Sequence, residues 1–300
     1  LTVTNAAGDS VAASVSPSTF DAAVITSVTY TASTVTAGGT TDVTAVFTGG
    51  DAVLSDGNGF IAFLDSGVPY TITPAATDTY VVRCRNRASD GMADLQTITV
   101  VAPPSITSFL PAIASVTEGF AFQMTADFTD GTGAVDSGVG AVTSGVPFNV
   151  TLPAAGSIDV TLTVTNAAGA FVTQVYSMDV RVVPVVQQLA PSHNPTSVAF
   201  GALVSVIFIN DPAGTATVDN GVGAVTSGVS FGVNPPVTTT YTLTLDNGAA
   251  DGNGVATDAF TLTVVPDPTI TSFTASAATI TAGNSVDLTA VFGGGTGDVD

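Results

Sequence analysis

The chain has 300 residues and a formal net charge of −20. Only 9% of its residues are charged, and the acidic side chains outnumber the basic ones 24 to 4. So acidic a surface repels phosphate, which argues against nucleic acid and anionic membrane surfaces as partners. The absence of Lys removes Schiff-base and P-loop chemistry, and no apolar run reaches the length of a membrane helix.

Two markers recur along the chain at one period. An Asn closes a Thr- and Val-rich segment at positions 5, 86, 166 and 247, spaced 81, 80 and 81 apart. A Phe closes an earlier segment at 47, 128, 208 and 292. Two independent markers sharing one period mean tandem domains. The expected division is 1–22 as the end of one repeat, whole repeats at 23–103, 104–184 and 185–266, and 267–300 as the start of another. The window amounts to about four periods less one short piece. It therefore reads as a slice of a longer polypeptide. The rival reading is that the end fragments of successive molecules complete each other, as in strand-donating fibres.

In the first whole repeat, "TAGG" (36–39) marks a turn before a strand in which Val43, Ala45 and Phe47 face one way and Asp42 and Thr44 the other. Such alternation predicts a half-buried antiparallel strand. Val46 is an apolar residue on the outward side, and Ile207 and Val291 hold the same position in later repeats. "DGNG" (56–59) predicts a turn. "TYVVRCRN" (79–86) predicts a strand with Val82 and Cys84 inward. A lone cysteine there acts as a small hydrophobe, not a disulfide partner. Arg83, Arg85 and Arg87 fall on or beside this strand where sister repeats carry Thr, so three of the chain's four cations share one outward stretch. They are candidates for contact with an acidic protein or glycan, against ordinary drift of an exposed surface. Tyr80, and Tyr241 later, stand where a tyrosine corner would place a hydroxyl against upstream backbone.

The joints that follow, "VVAPPSITSF" (100–109), "RVVPVVQQL" (181–189) and "TVVPDPTITSF" (263–273), are short and carry proline. They predict stiff coupling between domains in place of flexible tethers. The second repeat repeats the strand pattern with Met124, Ala126 and Phe128, and holds the one usable glycosylation sequon, at Asn149. The third carries His193, the only histidine, in the loop "APSHNPTS", where it reads as a solvated linker residue. An insertion, "DNGAADGNGVATD" (246–258), gathers Asp246, Asp251, Asn253 and Asp258 on a Gly-rich loop. Hard oxygen ligands of this kind suit Ca²⁺, but the spacing is not that of an EF-hand, and a loop of solvated turn-forming residues is the alternative. No nucleophile, base and acid are set out as a triad, and the expectation is a non-enzyme.

Seven or so short strands per 81 residues predict an all-β fold: a tandem array of immunoglobulin-like β-sandwich domains. "PTITSFTASAATITAGNSVDLTAVF" (268–292), "DNGVGAVTSGV" (219–229) and "TTTYTLTLDNGA" (238–249) resemble the immunoglobulin-like tandem repeats of large bacterial surface and secreted proteins. "LTVTNAAG" (1–8) and "FTDGTG" (128–133) are similar to polycystic-kidney-disease-type repeats, although the Trp of that signature is missing. The resemblance implies an extracellular stalk, fibre component or adhesin. The leading expectation is a filament or stalk that contacts copies of itself or neighbouring repeats. The runner-up is an adhesive or carbohydrate-binding module. Bound glycans and calcium are the accessory partners considered.

Overall fold

The computed structural model describes the backbone of residues 1–87, 89–197 and 200–300, and the side chains of these apart from residues 90–92. Among the described residues every regular element is a strand. Val, Ile, Thr, Tyr and Phe dominate these segments because a branched or aromatic side chain packs well on a pleated surface.

The chain opens with a hairpin of β1 (Thr2–Thr4) and β2 (Ser10–Ala12). The first sandwich follows: β3 (Val24–Tyr30), β4 (Thr34–Thr36), β5 (Thr41–Thr48), β6 (Asp51–Asp56), β7 (Gly59–Leu64), β8 (Tyr70–Ile72), β9 (Asp78–Arg85) and β10 (Asp90–Val101). One sheet runs β3-β5-β8 and the other β4-β10-β9-β6-β7. The second sandwich repeats this plan with β11 (Ser105–Pro111), β12 (Ser115–Thr117), β13 (Ala121–Thr129), β14 (Thr132–Val135), β15 (Gly140–Val142), β16 (Phe148–Thr151), β17 (Gly156–Thr165) and β18 (Phe171–Arg181). Its sheets are β11-β13-β16 and β12-β18-β17-β14-β15.

The third has β19 (Val185–Pro191), β20 (Thr196–Ser197), β21 (Ala202–Ile209), β22 (Thr215–Val218), β23 (Gly223–Ala224), β24 (Phe231–Val233), β25 (Thr239–Asp246), β26 (Val255–Leu262) and β27 (Val264–Val265). Here the sheets are β19-β21-β24 and β23-β22-β25-β26, with β20 paired to β27. The chain closes with a hairpin of β28 (Thr269–Ala275) and β29 (Leu288–Gly293). The fold is thus a tandem array of immunoglobulin-like β-sandwiches, with eight strands in each of the first two where about seven were expected. The extra element is the short strand β4 or β12, which pairs parallel to β10 or β18 while its neighbours run antiparallel.

Each sandwich has its own core. Val43, Ala45 and Leu54 pack with Val82 and Ile98 in the first, Phe109, Met124 and Leu162 with Met178 in the second, and Val204 and Val206 with Leu243 and Leu262 in the third. The inward alternation of the marker strand is therefore what fills each core, and Cys84 is buried beside it. Val46 and Ile207 lie on the exposed face, as alternation requires, while Val291 is exposed along with every other residue of β29. The tyrosine-corner expectation is corrected. The rings of Tyr80 and Tyr241 are buried in the cores, in the place that Val160 takes in the second sandwich, and among the described residues neither hydroxyl reaches an upstream carbonyl. The Tyr241 ring stacks on Phe260 instead, 5.4 Å between centroids.

The repeated "SGV" triplet acts as a clamp. Ser144 Oγ donates to the Phe128 carbonyl (2.8 Å) and accepts from its N–H (2.9 Å). Ser66 and Ser227 make the same pair of bonds with Phe47 and Phe208, and the glycine after each serine donates to the strand two residues earlier. The marker Phe thus sits where a loop seals the free edge of its strand. In "DSGVG" and "DNGVG" the residue after Asp and the next Gly both have positive φ (Ser137 54°, Gly138 81°; Asn220 51°, Gly221 84°). That is the type I′ geometry that matches strand twist.

Candidate functional site at the domain joints

The marker Asn belongs to the joints more than to the domain cores. Asn166 follows the last residue of β17 and is 5% exposed. Its Oδ1 accepts the N–H groups of Ala168 and Ala170, each at 3.0 Å, which closes the turn to β18. Its Nδ2 crosses into the first sandwich, donating to the Ala102 carbonyl (2.9 Å) and to Thr36 Oγ1 (3.0 Å). A carboxamide has two acceptor positions and two N–H groups, and here all four are used, two on each side of the joint.

Asn247 repeats the arrangement one domain on and is fully buried. Its Oδ1 accepts Ala249 N–H at 2.9 Å, and its Nδ2 donates to the Val182 carbonyl (2.9 Å) and Thr117 Oγ1 (3.1 Å). Asn86 likewise accepts Ser89 N–H and donates to the carbonyls of Asp21 and Gly49. Asn5 forms the same turn with Ala7 and Asp9 but is exposed, and its Nδ2 meets Asp9 Oδ2.

The receiving hydroxyls come from the short parallel strands. Thr36 lies opposite Val101 in the β4–β10 pair and Thr117 opposite Arg181 in the β12–β18 pair. Each is set beside the carbonyl of the residue that leaves the domain. Ser197, opposite Val265 in the β20–β27 pair, is the third member of the series. Its Oγ is buried with no hydrogen-bond partner among the described residues.

The inserted loop reinforces the second joint. Asp251 Oδ2 accepts Thr117 N–H at 2.9 Å, and Thr117 Oγ1 donates to Asp251 Oδ1 at 3.0 Å. Ala250 N–H donates to Ser115 Oγ. From the other side Arg181 Nη1 donates to the Asn247 carbonyl at 2.9 Å, while its Nε pairs with Asp179. Gly248 (φ +71°) lets the turn pass beneath that guanidinium, for a Cβ there would stand 2.8 Å from Nη1. Glu118, the only glutamate, holds Val183 N–H in the linker and Ala155 N–H. Burial pushes the Asp251 carboxyl up, but the hydrogen bonds from Thr117 and Asn253 outweigh it and hold the group below its ordinary 3.8.

The four calcium candidates are not brought to one point. Asp251 and Asn253 share the loop tip and bond each other. Asp246 stands on β25 opposite Val255, and Asp258 lies three rungs further down the β25–β26 ladder, opposite Leu243. At about 3.3 Å per residue that is roughly 10 Å away. No three His, Cys, Asp or Glu side chains gather as a metal site among the described residues. His193 sits between Ser192 Oγ (3.0 Å) and Thr196 Oγ1 (3.1 Å).

Arg83 and Arg85 are exposed on β9 and Arg87 on the bend after it. Arg85 lies between Asp51 and Asp90 on the neighbouring strands, whereas Arg83 lies between Val53 and Ala93. Asn149 is exposed on β16. Sequence reasoning missed the joint role of the Asn, Thr36, Thr117 and Asp251. The signal available was the recurrence of Asn at each strand end, followed by small residues that permit a tight turn.

No family model matches the chain, and no curated protein matches it. Among solved structures it is similar to the I67–I69 fragment from the I-band of titin, at 14% identity over 84% of this chain and 99% of that one, TM-score 0.46. It is similar to Sidekick-1 immunoglobulin domains 1–5, at 17% identity over 83% of this chain and 60% of that one, TM-score 0.35. It is also similar to the full ectodomain of mouse nectin-like molecule 4, at 14% identity over 78% and 97%, TM-score 0.39. At such identities the likeness concerns the immunoglobulin-type fold of the tandem domains and none of their partners.

Proposed function

We propose that this chain is a structural, extracellular array whose work is mechanical: it is a segment of a filament or cell-surface stalk. The observation that carries the reading is the carboxamide whose two N–H groups both cross the joint at each of the two fully formed joints, Asn166 on Ala102 and Thr36, and Asn247 on Val182 and Thr117. A hydrogen bond left unmade in a buried site costs more than one exchanged with water, so bending at these joints is penalised. The prolines beside them restrict the linker further. With strands of about 3.3 Å per residue, each domain adds roughly 40 Å of length. Electron microscopy of native material tests this: long fibres with about that axial repeat are expected, and short, freely hinged rods would overturn it.

A second reading, an adhesive or glycan-binding module, is favoured by one observation, the exposed Arg83 on a sheet face whose sisters carry threonine. Asp251 accepts two hydrogen bonds from Thr117 at the second joint. Short rods retained on a glycan array through the first sandwich would favour it. Asn149, exposed on its strand, is the proposed site of any N-linked sugar.

A further inference from the structure

The outer face of the five-stranded sheet in the first sandwich differs from its counterparts. One cross-strand row reads Phe63–Val53–Arg83–Ala93 and the next Phe60–Ser55–Val81–Leu95. Phe63 is 70% exposed, and its ring centroid stands 5.2 Å from that of Phe60. The rows that correspond to Arg83 elsewhere are Ala134–Thr163–Thr173 and Thr217–Thr244–Thr257. Exposed aromatic rings around an arginine are the composition of an interface centre rather than of a solvated sheet.

What meets it follows from charge. At −20 per molecule, copies of this chain repel one another at most orientations. The Arg83 row is a place where an acidic, partly apolar surface is attracted. The second sandwich offers such a surface on the matching face of β17 and β18. Val175 is exposed there, and beside it Asp159 lies opposite Ser177, whose hydroxyl donates to one carboxylate oxygen and leaves the other open. We propose that two copies of this chain pair side by side, displaced by one sandwich. Arg83 of one takes Asp159 of the other, and the paired rings of Phe60 and Phe63 cover Val175. The contact is heterologous, so each copy keeps one unused surface of either kind and growth stays open. The inference rests on the filament reading above and gives that filament its lateral contact.

The test is sedimentation of the 300-residue chain over a range of concentrations, at low and high salt, for the wild type, Arg83→Asp, Asp159→Arg and the double variant. Both side chains are exposed, so thermal unfolding of the variants should match the wild type. Expected is association that weakens with salt, falls about tenfold or more in each single variant and returns in the double variant, where the pair is reversed. A wild type that stays monomeric at every concentration, association indifferent to Arg83→Asp, or a double variant no better than the singles would overturn it. Microscopy showing hinged rods while the charge swap still restores pairing would count against the filament and leave this contact standing.

Discussion

Asn247 uses its carboxamide on both sides of a domain boundary, and Asn5 makes the same turn without crossing one. The pair separates the local role of this residue from its role in the joint. Asn247→Ala is expected to lower the coupling of the second and third sandwiches by about 2 to 4 kcal/mol, since it strips two cross-joint hydrogen bonds and leaves the half-buried Val182 carbonyl without its Asn partner. Scanning calorimetry should show one unfolding transition splitting into two. Asn5→Ala should leave the profile of the three sandwiches unchanged; equal effects from the two variants would contradict the assignment. The recurrence of Asn was plain in the sequence, but its partner was not. An Asn after a strand also caps its own turn, and periodicity cannot say whether the two N–H groups serve the same domain or the one before it.

At the scale of elements, the strands were legible because the period-2 pattern and the glycine-bearing turns agree in every copy. Two elements were not. On β7 both Phe60 and Phe63 are exposed although they are three residues apart, which plain alternation forbids. The register shift between Leu54 and Ser55 in the β6–β7 pair is what allows it. The Asp251 loop was ambiguous because Asp, Asn and Gly serve metal loops and capping loops alike.

Three predictions belong to this scale. Ser144→Ala removes both bonds to the Phe128 backbone and should cost about 1 to 2 kcal/mol of second-sandwich stability in denaturant unfolding; no change would mean the loop holds the strand edge without it. The lowered Asp251 pKa means its contribution is present above the ordinary carboxyl value and is lost as pH falls through the lowered one. Joint coupling measured by calorimetry should therefore be level from neutrality to about pH 4 and fall only below that; a loss near pH 6 would point to another group. Because Asp251 is engaged with Thr117, a chelator should leave the melting temperature unchanged, and a fall of several degrees would return the loop to calcium.

For the whole molecule, three cores in series are joined by short proline-bearing linkers, and a buried Asn seats on the preceding domain at both fully formed joints. Domains coupled only by a linker sample many angles; here Asn166 makes two hydrogen bonds across the first joint, and Asn247, Asp251, Ala250 and Arg181 make six across the second. The period led to the expectation of tandem units, and the prolines to the expectation of stiff joints. The residue that bonds across each of these joints is the Asn, with Asp251 and Arg181 added at the second. The most direct check is the distribution of distances between spin labels at Ser157→Cys in the second sandwich and Thr257→Cys in the third. A single narrow distribution that broadens in Asn247→Ala is the expected result. A distribution already broad in the otherwise unaltered chain, and the same after the substitution, would contradict a rod held rigid at its joints.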